Sequence, residues 1–232
     1  MSISGNPLHS QFPNNMALPI HPIMEQSFAV INQEIGEHNF SPAEYAIVQR
    51  VIHSTADFEF TQLIKFSPNT MVATQTAGGI ASGIKALQQR TPIITDVGMV
   101  RQGIAGMVAK TFNNPLIVAV EQAAVALPGK TRTETGLLQC FEQFPEAIFV
   151  IGNAPTALLS LCEQLPTVPL KPALVIGAPV GFISVLESKA ALAQTPVPQI
   201  RVESRKGGSP VAAAILNALL VLAWNGEPGE QF

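Results

Sequence analysis

A histidine with hydroxyl and acidic neighbours is the first feature of this sequence that could do chemistry. His53 stands within the segment RVIHSTADFEF. Before it, Tyr45, Val48 and Ile52 are spaced as on one face of a helix. That helix is predicted to begin after Ser41, because Ser-Pro-Ala-Glu is a capping box with proline at the first helical position, and to close at His53. Imidazole exchanges a proton near neutral pH, so His53 is either a helix-end cap or a proton donor.

Basic residues beside predicted strand ends could bind an anion. Arg132 is predicted at a helix start, where the helix dipole disfavours a cation, so it indicates an anion to be held. Lys189, Arg205 and Lys206 stand in or beside the Gly/Pro-containing segments that follow strands. Asp96 directly follows an apolar strand and is either a helix cap or a site residue. A few cations together with free helix amides suit a ligand that carries several carboxylates.

A second pattern suggests a nucleotide. The segment AVALPGKT, residues 124–131, loosely matches a phosphate-binding loop between a strand and a helix. Such a loop needs glycine-rich backbone, yet Leu127 and Pro128 stand inside the segment and no glycine opens it. A nucleotide-binding enzyme is therefore the weaker alternative.

Strand and helix patterns alternate along the chain. Helices are predicted over residues 22–35, 41–53, 76–90 and 133–144, and strands over 92–95, 115–120 and 147–151. Three units, beginning at Ala147, Ala173 and Gln199, each carry a short apolar strand, a Gly/Pro loop and a helix. Short apolar strands joined by helices predict a parallel sheet covered on both faces. The expected fold is α/β, a three-layer doubly wound architecture whose sheet is mainly parallel with helices on both faces.

Composition limits the partners and the location. Of the 232 residues, 47% are hydrophobic and 12% are charged, so part of the surface is expected to be covered by a second copy of the chain. A formal net charge of -3 without a Lys/Arg run argues against nucleic acid. The longest apolar stretch, 211–224, is too short to span a membrane. Residues 1–20 are predicted to form a flexible arm before a single domain over 21–232, in a cytoplasmic protein.

The two cysteines carry no metal or disulfide pattern. Cys140 and Cys162 lie inside helical patterns and lack ligand spacing. They are predicted to be small buried hydrophobic residues, and no metal site is expected.

Six segments, in this order, resemble the precorrin-8 methylmutase family, also called precorrin isomerases, of cobalamin biosynthesis. They are RVIHSTADFEF, PIITDVGMVRQGI, TRTETGL, VIGNAPTALL, VIGAPVGFISVLESK and SRKGGSPVAAAILNALL. The resemblance runs from about Met24 to Trp224, and six ordered segments make it specific.

The resemblance implies an isomerase that moves a methyl group from the carbon next to ring C of a corrin precursor to the adjacent ring carbon. The product is hydrogenobyrinate or cobyrinate, no cofactor is implied, and the substrate can carry cobalt. His53 matches the family's proposed acid toward a ring nitrogen. Ser27, Thr95, Met99 and Arg132 match residues expected to contact the macrocycle or its carboxylates.

The same resemblance implies a homodimer with the site near the subunit contact. A second alternative is a tetrapyrrole carrier that keeps the binding site but does not need a titratable His53.

Overall fold

The computed structural model describes residue 18 and residues 21–67 and 78–225. Its helices are α1 (Pro22–Ile35), α2 (Pro42–Thr55), α3 (Phe60–Leu63), α4 (Gly79–Gln88), α5 (Gly98–Lys110), α6 (Ala119–Gln122), α7 (Arg132–Gln143), α8 (Pro155–Gln164), α9 (Val185–Ala193) and α10 (Ser209–Asn225). Its strands are β1 (Ile64–Phe66), β2 (Ile93–Thr95), β3 (Leu116–Val118), β4 (Ile148–Ile151), β5 (Leu174–Gly177) and β6 (Gln199–Val202). The arm predicted over residues 1–20 lies outside these described residues, apart from Leu18.

The strands form one sheet in the order β1-β6-β5-β4-β2-β3. Strands β2 to β6 run parallel, and β1 pairs with β6 antiparallel at one side. Parallel strands end on the same side of a sheet, so the ends of β2 to β6 and the segments that follow them share one edge, named the carboxyl edge below.

Side chains of the strands alternate between two apolar cores. Ile93 and Val150 pack on one face, with residues of α2, α4, α5 and α10. Their neighbours Ile94 and Phe149 pack on the other, with residues of α7, α8 and α9. Alternation across a sheet buried on both sides accounts for strands without polar residues. The predicted three-layer α/β fold is confirmed.

Helix α10 is the central helix of the first layer. Its sequence SPVAAAILNALLVLAWN is apolar nearly all round, and it packs against α2, α4 and α5 as well as the sheet. A helix that is apolar all round must be covered on every side. Among the described residues no helix combines the length and apolarity that a membrane crossing needs.

The structure differs from the sequence-based prediction at several boundaries. The strand predicted over 115–120 ends at Val118, and Ala119 begins the short helix α6 instead. A Cβ added at Gly136 of α7 would lie 1.8 Å from the carbonyl oxygen of Ala119. Helices α6 and α7 therefore pack backbone to backbone at this glycine. The helix predicted from residue 76 begins at Gly79, after an extended Gly78.

Neither helix α5 nor strand β1 was predicted from the sequence. Helix α5 carries Gly98, Gly103 and Gly106, which weaken a helix by propensity. Strand β1 has only three residues and pairs antiparallel with β6. Packing, rather than local sequence preference, decides both elements.

Candidate active site

The end of α2 presents His53 at the protein surface. Helix α2 begins with the predicted capping box, in which Ser41 and Glu44 exchange hydrogen bonds. The helix runs two residues beyond His53, to Thr55, before Ala56 turns the chain with φ 55°. The buried residues of this helix face the core, whereas the ring of His53 is exposed.

An aromatic ring from α1 orients His53. The ring of Phe28 meets the His53 ring edge to face, with centroids 5.4 Å apart. The guanidinium of Arg50 lies 5.9 Å from the centroid of the same Phe28 ring. Phe28 therefore contacts both the His53 ring and the Arg50 guanidinium, which lie one turn apart on α2.

Arg50 is a candidate that the sequence-based reasoning missed. Its guanidinium is partly buried, and burial lowers the pKa of Arg50 from its usual value. It stands three residues before His53, so the two side chains leave α2 on the same side. That spacing of three residues is the signal in the sequence that identifies Arg50.

The turn after α2 is joined to the segment that follows β6. Lys206 Nζ lies 2.6 Å from Asp57 Oδ2 and 3.0 Å from Glu59 Oε2. The sequence left the roles of both acids open, and the structure shows them as partners of Lys206. Because Lys206 follows β6, this contact places the turn after His53 at the carboxyl edge.

Lys189 is hydrogen-bonded to the backbone of residues 203–208, a segment named the β6 loop. Its side chain is buried, and Nζ donates to the carbonyl oxygens of Ser204, at 2.8 Å, and Lys206, at 2.7 Å. Burial lowers the pKa of Lys189 to about 8. Gly207 completes the arrangement with φ 151°, where a Cβ would lie 2.4 Å from the carbonyl oxygen of Ala178. The ammonium of Lys189 thus supports the loop backbone, and the predicted contact of Lys189 with substrate stays a prediction.

Replacing Lys189 with methionine should loosen the β6 loop, because two carbonyl groups lose their donor. A combined net loss of about 1.4 kcal/mol from the two hydrogen bonds corresponds to about tenfold easier local opening. Exchange of the Gly208 amide, which is bonded to Ala178 O, should therefore accelerate by about tenfold. Hydrogen exchange followed by NMR measures this.

Lys171→Met is the matched control for that substitution. Lys171 also donates to two backbone carbonyls, those of Leu165 and Val168, but it precedes β5 at the opposite edge of the sheet. Exchange at Gly208 that is unchanged in Lys189→Met, or equally fast in Lys171→Met, would contradict the assigned role.

Asp96 joins the ends of β2 and β4. It is fully buried, and its Oδ2 accepts from the amides of Asn153, at 2.6 Å, and Ala154, at 2.8 Å. Its Oδ1 accepts from the amide of Val97 at 2.9 Å. Burial raises the pKa of Asp96, although these hydrogen bonds oppose the rise. Asp96 therefore does not cap the helix that follows it, since α5 has no side-chain cap bond, but binds the amides of the segment that leads into α8; a contact with substrate stays a prediction.

The other predicted site residues are distributed around the carboxyl edge and along α1. Thr95 is buried at the end of β2, and Met99 is 70% exposed in the first turn of α5. Arg132 opens α7, is exposed, and donates from Nη2 to Val120 O at 2.9 Å. Arg205 is exposed in the β6 loop. Their contacts with a substrate stay predictions.

Ser27 belongs to α1 and is the neighbour of Phe28. Its hydroxyl donates to the carbonyl of Ile23 one turn earlier at 2.8 Å. The contact between Phe28 and His53 brings this part of α1 to the end of α2. A contact between Ser27 and substrate also stays a prediction.

The segment that resembles a phosphate-binding loop is closed by its own contacts. Lys130 Nζ lies 2.5 Å from Glu134 Oε1 and 3.2 Å from Ser160 Oγ. The amide of Leu127 donates to Thr135 Oγ1, and that of Lys130 donates to Leu127 O. These groups are used within the chain, which does not support a phosphate cradle.

A cavity of about 390 Å³ lies at the opposite edge, between the ends of α7 and α8. The charged group in its lining is the carboxylate of Glu142, and its walls include Leu138, Phe141 and Val168. An acidic ligand would find no cation there. The exposed His53 and the cations of the carboxyl edge therefore make the better site.

Within the described ranges no three His, Cys, Asp or Glu side chains are grouped to hold a metal. Cys140 and Cys162 are free thiols, and both are buried, as predicted.

Comparison with known proteins identifies the fold and the family. The model of the precorrin-8X methylmutase family matches residues 22–222. A cobalt-precorrin-8 methylmutase of Synechocystis is 58% identical over 209 residues, which cover 88% of this chain and 96% of the relative. A precorrin-8X methylmutase of Sinorhizobium is 35% identical over 202 residues, which cover 85% of this chain and 92% of the relative.

A solved structure agrees with this assignment. The crystal structure of the precorrin-8X methylmutase of Thermus thermophilus superposes with a TM-score of 0.77 at 39% identity. The match covers 89% of this chain and 99% of that one. The resemblance seen in the six sequence segments is confirmed, and the carrier and nucleotide alternatives lose their support. The chain belongs to the precorrin-8X methylmutase family and is an isomerase of cobalamin biosynthesis.

Proposed function

We propose that this protein moves a methyl group between adjacent ring carbons of a precorrin-8 macrocycle and that His53 donates a proton, or a hydrogen bond, to a ring nitrogen. The observation that carries the proposal is the placement of His53. It is an exposed imidazole whose ring is oriented by Phe28, beside the cation Arg50 and next to the carboxyl edge.

The chemistry follows from withdrawing electrons from the conjugated ring. A proton on a ring nitrogen draws electron density from the carbon that bears the methyl group. The bond between that carbon and the methyl group breaks as a bond to the adjacent carbon forms, so no atom is gained or lost. A general acid of this kind typically contributes about 10²- to 10⁴-fold in rate. The proton returns to solvent or to His53 when the product leaves.

The predicted binding residues divide into two groups. Ser27, Thr95, Met99, Arg132 and Arg205 are proposed to contact the macrocycle or its carboxylates. Exposed guanidinium groups suit the carboxylates because they form charge-assisted, planar pairs with them. In contrast, the buried side chains of Asp96 and Lys189 are proposed to act by fixing the loops that present the first group.

The substrate is proposed to be cobalt-precorrin-8. The support is the Synechocystis relative of that name at 58% identity, whereas the Sinorhizobium relative named for the metal-free compound is 35% identical. Purified protein incubated with each substrate form should convert the cobalt form faster, seen as appearance of the product's visible absorption spectrum. Binding of either form without conversion would favour a carrier.

We also propose that the protein is a cytoplasmic homodimer. Large apolar side chains are exposed after three strands of the carboxyl edge: Met99, Val125, Val180, Phe182 and Ile183, with Phe182 84% exposed. Exposed apolar area of this kind is more often covered by a partner than left in water.

Phe182→Asp should convert the dimer to a monomer, because a charge would be buried in the contact. Light scattering should show twice the chain mass for the unaltered protein and about half of that value for the variant. Leu170→Asp is the control, since Leu170 is 48% exposed beside the cavity at the opposite edge. A monomeric unaltered protein, or dissociation caused equally by both substitutions, would contradict the proposed contact.

A further inference from the structure

Lys206 lies between the two acids that follow His53. Its ammonium is within 3.0 Å of both carboxylates, 2.6 Å from Asp57 and 3.0 Å from Glu59. The hydrogen bond with Asp57 raises the pKa of Lys206 and lowers the pKa of Asp57. Lys206 and its two acidic partners together carry a formal charge of -1, in place of the -2 of the acids alone.

Both ends of this contact are fixed by further hydrogen bonds. On the acidic side, Asp57 Oδ1 accepts from the amide of Glu59 at 2.9 Å, and the amide of Asp57 donates to Thr55 Oγ1 at 3.2 Å. On the basic side, the carbonyl of Lys206 accepts from the buried ammonium of Lys189 at 2.7 Å. The ion pair thus connects two constrained turns, unlike a pair between two freely rotating surface side chains.

The position of the pair matters because of the ligand. A corrin precursor carries several carboxylates and has to approach His53, which is four residues before Asp57. Two uncompensated acids at this point would repel it. A cation that is already held by two acids, in turn, is poorly placed to bind a further carboxylate.

We propose that Lys206 is a positioning residue that acts through Asp57 and Glu59: its ammonium neutralises these two acids in the turn after His53, so that a polycarboxylate macrocycle can approach, and it does not bind a substrate carboxylate itself. This inference rests on the proposed function, and it replaces the sequence-based prediction that Lys206 binds substrate. The acids then serve to hold the turn, and the lysine removes their repulsion.

Rescue by removal of the acids tests this role. Calorimetry would measure the affinity of hydrogenobyrinate for the unaltered protein, Lys206→Met, Asp57→Asn with Glu59→Gln, and the triple variant. Lys206→Met should bind about tenfold more weakly, and the deficit should shrink at high salt. The triple variant should return to within about threefold of the unaltered protein, because no repelling charge remains. The double variant should also stay within about threefold.

Direct binding of a substrate carboxylate by Lys206 would give the opposite pattern of affinities. If Lys206 bound a carboxylate, the triple variant would be as weak as Lys206→Met, and the double variant would bind more tightly because its lysine is released. Lys110→Met removes an exposed cation from the far end of α5. An equal loss in that control would reduce the effect to net charge and overturn the inference.

Failure of the proposed function is distinguishable from failure of this inference. An unaltered protein that neither binds hydrogenobyrinate nor converts precorrin-8 or cobalt-precorrin-8 would contradict both. An unaltered protein that binds it and converts the substrate, together with a triple variant that is not rescued, would overturn only the role of Lys206. Melting temperatures of all four proteins show whether each variant is folded.

Discussion

His53→Ala should slow methyl migration by about 10²- to 10⁴-fold while binding of the corrin product changes by less than about threefold. The reason is that the imidazole is proposed to interact with a ring nitrogen during the rearrangement, whereas the carboxylates of the ligand are held by other residues. The exposed position of His53 at the end of α2 means that the substitution removes no core contact. Single-turnover absorption measurements give the rate, and calorimetry gives the affinity.

His53→Gln separates a proton from a hydrogen bond. Glutamine can donate a hydrogen bond but cannot release a proton at neutral pH. If protonation is required, His53→Gln should be as slow as His53→Ala; partial recovery would show that hydrogen bonding is sufficient. His38→Ala is the control. His38 lies in the connection between α1 and α2 and stacks on Tyr45 of α2, so its removal takes away an imidazole outside the proposed site. A rate for His53→Ala within about threefold of the unaltered protein would return His53 to a structural role.

Arg132→Ala should weaken product binding by about ten- to a hundredfold. The guanidinium opens α7, where the helix dipole disfavours a cation, and its hydrogen bond within the described part of the chain is from Nη2 to Val120 O. The remaining N–H groups can form a charge-assisted pair with a substrate carboxylate, which contributes about 1.5 to 3 kcal/mol in total. Arg132→Lys should recover only part of the affinity, because an ammonium cannot form the planar fork.

Titration of hydrogenobyrinate into these proteins at matched salt measures the effect of Arg132. Lys85→Ala, which removes an exposed cation from the last turn of α4, is the control. Equal affinities for Arg132→Ala and the unaltered protein, accompanied by a lower melting temperature of the variant, would show that Arg132 stabilises the contact with Val120 and does not bind substrate.

The sequence predicted the parallel part of the fold because its signals are local. Apolar strands such as 148–151 and the capping box at Ser41 can be recognised without any neighbour in space. The antiparallel strand β1 could not be recognised, because its three residues form a strand only through pairing with β6. The same applies to α5, whose glycines disfavour a helix that packing against α10 stabilises.

The candidate site divides in a similar way. His53 and Arg132 could be selected from residue type and place along the helix. The partners of Lys189 and Lys206 could not, because the acids at 57 and 59 are far from Lys206 in sequence and become its neighbours only when the β6 loop meets the turn after α2. Residue type alone therefore predicted four cations as substrate contacts, Arg132, Lys189, Arg205 and Lys206, whereas the structure pairs Lys189 and Lys206 with other parts of the chain.

The central claim is that this protein itself moves the methyl group, with His53 as the acid. The most direct measurement uses cobalt-precorrin-8 labelled with ¹³C in the migrating methyl group, incubated with the unaltered protein and with His53→Ala, and followed by ¹³C NMR. We expect the labelled signal to move from the position of a methyl group on the carbon next to ring C to that of a methyl group on the adjacent ring carbon. With His53→Ala the signal should stay in place over the same time. A signal that does not move with the unaltered protein, or that moves equally fast with both proteins, would contradict this claim.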